Sequence, residues 1–200
     1  MTEHIYCQDN EIHLLGSLKK TNYEVLHNLF FFVQKSRKST IDLHISSPGG
    51  ELSLLYNLIS LIKSSDKPVH AYIHNTEIYG IYSGVASAAS VLTTYCDKII
   101  IDKNATFMIH HARSHFLNGE IAEIYDDEED IFFWMEKTSQ SYDIVESLIK
   151  KENVLDAESA KNLGFINVIN NDINVYRIPS SKKINNNCLD QYMTYTTPFV

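Results

Sequence analysis

Thr40-Ile41-Asp42-Leu43-His44-Ile45 runs directly into Ser46-Ser47-Pro48-Gly49-Gly50, and this junction decides the fold. The first six residues alternate apolar with polar and are β-branched-rich, which predicts a half-buried strand. Proline then fixes φ, and two glycines open conformations closed to other residues, so the strand stops at once. Leu52, Leu55, Leu58, Ile59 and Ile62 follow at helical spacing. The unit is strand, sharp turn, helix. Upstream, Ile12–Leu15 predicts a strand ended by Gly16, and Thr21–Gln34 predicts a helix with Thr21 as N-cap. Downstream, Val69–Ile73, Lys98–Ile101, Phe107–Ile109 and Phe165–Ile169 read as strands. The small-residue run Gly84–Leu92 predicts a tightly packed helix. A long acidic helical segment is expected from Glu120 to Lys151, and Asp156 should cap a short helix, Ala157–Leu163, closed by Gly164. This alternation implies an α/β fold with a largely parallel sheet and helices on its faces. Residues 1–170 are expected to form one domain, with 171–200 as a C-terminal extension of no discernible period.

The composition excludes several classes. The chain has 200 residues, 44% of them hydrophobic and 21% charged, enough for a real core and unlike a disordered chain. The formal net charge is −8, and the basic runs Lys35–Lys38 and Lys182–Lys183 are too short for a nucleic-acid footprint. Cys7, Cys96 and Cys188 are odd in number and far apart, which argues against a disulfide framework or a zinc knuckle. His111 and His115 sit four apart, but the segment is not clearly helical and has no nearby carboxylate, so no metal site is expected. Met1-Thr2-Glu3-His4 does not open a signal peptide, and no apolar run could span a membrane. A cytoplasmic location without membrane partners is the expectation.

Three stretches carry chemistry. The turn Ser46–Gly50 can present backbone N–H groups at the mouth of the following helix, where they would stabilise an oxyanion. Ordinary strand-to-helix turns use the same residues. In Gly84–Ser90, Ser87 stands among small residues that leave room for a substrate carbonyl, and the Ala88 N–H is a second oxyanion donor. A packed core helix would use the same small residues, and Ser90 suits that role. In Met108-Ile109-His110-His111-Ala112, a histidine following an apolar strand can act as base for a serine hydroxyl and then as acid. Adjacent histidines point to opposite sides of an extended chain, so one of the two faces the site.

Taken together and in order, these stretches resemble the landmarks of the Clp protease proteolytic subunit, ClpP. Ser47-Pro48-Gly49-Gly50, Ala86–Ser90 and Met108-Ile109-His110 match its three site motifs, and Asp156–Asn167 resembles its closing segment. The likeness covers roughly residues 11–170 and is strongest to small phage-type versions. It implies a ClpP/crotonase-like superhelix of repeated β-β-α units with a protruding handle helix. It implies a serine endopeptidase without cofactor or metal, with Ser87 as nucleophile, His110 as base, and Gly49, Gly50 and Ala88 as oxyanion hole. Partners implied are unfolded polypeptide substrates, further copies in stacked heptameric rings (a tetradecamer), and a Clp-type AAA+ unfoldase or another ClpP-like subunit. The family's third triad member is Asp. Glu152 holds that place here, with Asn153 and Asp156 as alternatives.

The chain departs from the family in its short N-terminal segment, the insertion-like stretch His74–Tyr82 and the 30-residue tail. A register placing Ala88 at the nucleophile position would describe an inactive or regulatory subunit that co-assembles with active ones. A crotonase-like acyl-CoA enzyme is a third reading, opposed by the Ser/His pairing and the lack of an acidic pair near Gly50.

Overall fold

The computed structural model describes residues 4–76, 81–115, 121–123 and 127–171. The chain opens with a hairpin: β1 (His4–Gln8) pairs antiparallel with β2 (Glu11–Leu15), Gln8 opposite Glu11. Asp9 and Asn10 form the two-residue turn with φ of 52° and 61°, the doubly left-handed geometry that matches strand twist. β1 was not predicted, because His4-Ile5-Tyr6-Cys7-Gln8 does not alternate cleanly.

A single 3₁₀ turn, Lys20–Asn22, leads into α1 (Tyr23–Gln34). Thr21 therefore lies inside this turn, and Asn22 takes the cap position without a side-chain cap bond. There follow β3 (Ile41–Ser46), α2 (Leu52–Lys63), β4 (Val69–Ile73), β5 (Gly84–Ala86), α3 (Ala88–Thr93), β6 (Lys98–Asp102), β7 (Thr106–Met108), β8 (Arg113–His115) and β9 (Ile121–Glu123). The chain closes with α4 (Asp127–Thr138), α5 (Tyr142–Lys150), β10 (Val154–Leu155), α6 (Ala157–Asn162) and β11 (Val168–Asn170).

Two expectations change. The Gly84–Leu92 run is a strand and then a helix, divided at Ser87. The expected helix from Glu120 to Lys151 instead begins with β9 and then breaks into α4 and α5. The break falls at Ser139, with φ of 60°, and Thr138 Oγ1 turns back to the Trp134 carbonyl at 2.6 Å. Hydroxyl side chains compete with the helix for its own backbone, which is why three Ser/Thr residues in four end it here. The expected cap at Asp156 is present: its Oδ1 accepts the Ser159 N–H at 2.7 Å, and Gly164 ends α6 with φ of 84°.

The main sheet has the order β1-β2-β3-β4-β6-β11, parallel from β2 onward. A second sheet, β10-β7-β5, sets β5 parallel and β10 antiparallel to β7. Strand alternation divides the main sheet by face. Ile41, Leu43 and Ile45 join the core that also holds Leu26, Leu29, Leu55 and Leu58 of α1 and α2. Asp42 and His44 project the other way.

Phe107 anchors the second sheet and is fully buried. Its ring meets Trp134 edge-on at 6.3 Å and Phe165 at 5.3 Å. The aromatic stretch Phe132–Trp134 therefore divides: Trp134 faces this core, whereas Phe132 is 54% exposed. Replacing Phe107 by Ala should cost about 3–5 kcal/mol through lost burial and the cavity left. A lowered urea midpoint at unchanged slope would report it, and a loss under ~1 kcal/mol would contradict this packing.

Candidate active site

Four segments meet at the junction of β5 and α3. β5 lies beside β7, with Gly84 opposite Thr106 and Ala86 opposite Met108. A Cβ on Gly84 would stand 2.1 Å from the Thr106 oxygen, so glycine alone lets these strands approach. The Ser87 N–H donates to the Met108 carbonyl at 3.1 Å, extending the pairing by one residue.

Ser87 then turns with φ 57° and ψ −130°, and α3 starts at Ala88. A side chain held at positive φ costs on the order of 1–3 kcal/mol and persists only where its surroundings impose it. Here the surroundings are explicit. The Ser87 carbonyl accepts from Val91 N–H at 3.2 Å, and Ala86, Ala88 and Ala89 are buried on either side. Ser87 itself is half-buried. Ser90 is fully buried, and its hydroxyl donates to the Met108 carbonyl at 2.7 Å. The two serines thus have different environments three residues apart.

The turn after β3 is fastened on both sides. Ser47 N–H donates to Gly84 O at 2.8 Å, and Ala86 N–H donates to Ser47 O at 3.0 Å. Leu18 N–H donates to Gly49 O, and Glu51 N–H to Leu18 O, both at 2.8 Å. Gly49 consequently presses against the junction: a Cβ there would lie 2.8 Å from the Ser87 Cβ and 2.9 Å from the Ala88 nitrogen. Gly50 is wedged against Leu18, whose oxygen would stand 2.2 Å from an added Cβ. Gly49, Ser87 and Ala88 are thus brought together, with Gly50 one residue along.

Ser46 and Ser47 were not singled out as site residues. The Ser47 hydroxyl accepts the Gly49 N–H at 3.1 Å. The Ser46 hydroxyl bonds the Tyr82 carbonyl and, at 3.4 Å, accepts the Gly84 N–H. A serine two places before a glycine turn was the available signal.

His110 lies two residues beyond β7 and is half-buried. Its Nδ1 faces the His111 carbonyl at 2.5 Å, which makes Nδ1 the protonated nitrogen and Nε2 the acceptor. His111 is buried. Glu152 is half-buried, while Asn153 and Asp156 are exposed. Glu152 follows α5 with φ of 48°, its N–H reaching the Ile149 carbonyl while Asn153 N–H reaches that of Leu148. That pair of bonds is the helix ending at which glycine is usual. Burial, and then the neighbouring Asp97, push the Cys96 thiol up to about 12, so it stays protonated and is no rival nucleophile. Of the stretch His74–Tyr82, residues 77–80 lie outside the described residues, as do 172–200 of the tail.

Solved structures share this architecture. ClpP1 from Listeria monocytogenes superposes with a TM-score of 0.64 at 19% identity, covering 82% of this chain and 92% of that one. The ClpP protease catalytic domain from Plasmodium falciparum gives 0.61 at 18% identity, covering 86% and 88%. A mutant 1510-N membrane-bound stomatin-specific protease, in complex with a substrate peptide, gives 0.62 at 22% identity, covering 82% and 74%. These likenesses speak for the fold. The family model for Clp protease matches residues 3–172, most of the chain and every segment that meets at the Ser87 junction, so the chain belongs to the Clp protease family.

Proposed function

We propose that this chain is a serine endopeptidase subunit in which Ser87 attacks the peptide carbonyl and His110 takes its proton. The observation that carries the reading is the left-handed Ser87 at a strand-to-helix junction, pressed by Gly49 and followed by the Ala88 nitrogen. Ala88 is buried and helical, which favours the register that puts Ser87, and not Ala88, at the nucleophile position. Attack forms an acyl-enzyme. Main-chain N–H groups of Gly49 or Gly50 and of Ala88 stabilise the oxyanion, His110 protonates the leaving amine, and water releases the acyl group. Gly49 N–H must leave the Ser47 hydroxyl to take part. A charged oxyanion makes the stronger bond and wins that exchange.

The preferred third member is Glu152. Val154 pairs with Met108 and Leu155 with Phe107, so the same register carried back two residues sets 152 level with 110. Glutamate at a glycine-favouring helix end is an outlier that a functional role would explain. Asp156 already caps α6. The His111 carbonyl already fixes the His110 tautomer, so the Glu152 carboxylate would act by stabilising the imidazolium, and Glu152→Gln should lower kcat by roughly 10–100-fold. Asn153→Ala should leave it within about twofold, since an exposed side chain away from the base contributes little. Equal kinetics for wild type and Glu152→Gln would remove Glu152 from the mechanism.

Residues 1–170 form the peptidase domain in this reading, with 171–200 an appended extension. The exposed Phe132 and Ile144, on α4 and α5, suit burial against another copy. Ring assembly, an ATP-driven unfoldase partner and unfolded polypeptide substrates follow from the family reading. No helix among the described residues is long and apolar enough to cross a membrane. The test is labelling with a fluorophosphonate followed by mass spectrometry of the digest. The adduct is expected on the Ser87 peptide, and absence of any adduct on the assembled protein would support the inactive-subunit reading.

A further inference from the structure

The sheet face opposite α1 and α2 carries a line of ionisable side chains running across the strands. Glu11 Oε2 meets His44 Nε2 at 3.0 Å, His44 Nδ1 meets His74 Nε2 at 2.7 Å, and His74 Nδ1 meets Asp102 Oδ2 at 2.9 Å. The His44 and His74 rings are coplanar within 2° at a centroid distance of 5.0 Å. With nitrogens only 2.7 Å apart, that is an edge-to-edge N–H···N bond rather than a stack. Both carboxylates are anchored: Glu11 Oε1 accepts Lys38 Nζ at 2.6 Å, and Asp102 accepts Asn75 N–H and the Asn170 amide at 3.1 and 3.0 Å.

Each of the three links joins two lone pairs and needs one cation between them. Two neutral imidazoles bring two protons. The third place must be filled by an added proton or by another cation. At the Glu11–His44 link a further donor stands by: one ligand atom each from Glu11, His13 and His44 lie within 4.8 Å of one another. We propose that Glu11, His13 and His44 bind a divalent transition-metal ion of the zinc class in that place, with His74 and Asp102 orienting His44 from behind.

Two imidazoles and one carboxylate suit zinc, copper, nickel or cobalt. Calcium and magnesium prefer all-oxygen sites. A carboxylate-held histidine behind the ligating one fixes its tautomer and presents Nε2 to the metal. The Glu11 side chain is 29% exposed, which opens the link to solvent. Around a four-coordinate ion with ~2.1 Å bonds, donors sit roughly 3.4 Å apart. The Glu11–His44 pair is already that close. His13 lies between the stacked rings of Tyr6 and His44, at 4.5 and 4.6 Å, so binding requires its ring to rotate within that sandwich and bring a nitrogen to the ion. No spacing motif announced it, because the ligands come from β2 and β3.

The test uses the full-length chain, stripped with chelator and titrated with Zn²⁺ by calorimetry and with Co²⁺ by visible absorption. One ion per chain is expected, with d–d bands of a low-coordinate cobalt site. Glu11→Gln and His13→Gln should each weaken binding by at least about tenfold, and Asp102→Asn by roughly 10–100-fold or less. Glu11 is partly exposed, so its variant should keep the wild-type circular dichroism and decides the matter even if His13→Gln misfolds. Failure of the wild-type chain to take up either ion would overturn the proposal. Uptake of equal affinity in Glu11→Gln would do so too, by placing the ion at other histidines.

Discussion

Ser87→Ala should abolish peptide hydrolysis and fluorophosphonate labelling, with kcat falling on the order of 10⁶-fold, the scale seen when a serine nucleophile is removed. Ser90→Ala is the matched control. Ser90 is fully buried and its hydroxyl serves the Met108 carbonyl, which also accepts Ser87 N–H. Losing one of two donors to that carbonyl should cost about 1 kcal/mol of stability. Labelling should persist. The pair separates chemistry from packing, because both changes delete one hydroxyl from the same short segment. Should Ser87→Ala still label while Ser90→Ala does not, the assignment of the nucleophile would be reversed.

Gly49→Ala should reduce kcat by about 10²–10³-fold, the loss typical of a displaced oxyanion donor. The added methyl would lie 2.7 Å from the Ala86 oxygen, 2.8 Å from Ser87 Cβ and 2.9 Å from the Ala88 nitrogen. Two of these are main-chain atoms, so relief requires moving the junction itself. The left-handed φ of 91° adds about 1–3 kcal/mol of strain. Gly164→Ala calibrates the result. It has φ of 84° and would meet the Thr138 oxygen at 2.8 Å, far along the chain from the junction. A similar stability loss with intact turnover is expected there. Equal turnover in Gly49→Ala and wild type would show that the turn plays no part in catalysis.

Much of this was legible in residue order alone. Apolar periodicity located α1, α2, β2, β3, β4 and β6, because each buries one stripe or face, whereas the strand read as Phe165–Ile169 begins only at Val168. Asp156 and Gly164 announced α6 through capping chemistry. The division of the small-residue run escaped notice because Gly, Ala and Ser pack equally well in a strand, a turn or a helix. What divides it is contact with distant Thr106 and Met108. The expected single long helix breaks because the Thr138 hydroxyl bonds the Trp134 carbonyl and accepts the Gln140 N–H, and Ser139 takes a φ of 60°, a local competition that acidic and aromatic periodicity does not show. The proposed role of Glu152 draws on a likeness, to which the pairing of Val154 with Met108 adds only a register. The histidine line lay beyond any sequence window, since it is assembled by lateral strand contacts.

The left-handed serine has a thermodynamic corollary. Glycine tolerates positive φ without penalty, so Ser87→Gly should relieve the tension and raise the unfolding free energy by about 1 kcal/mol, less what glycine's greater freedom in the unfolded chain takes back. A catalytically dead variant that outlasts its parent on heating would mean that this chain carries a trade-off between durability and turnover at one backbone angle.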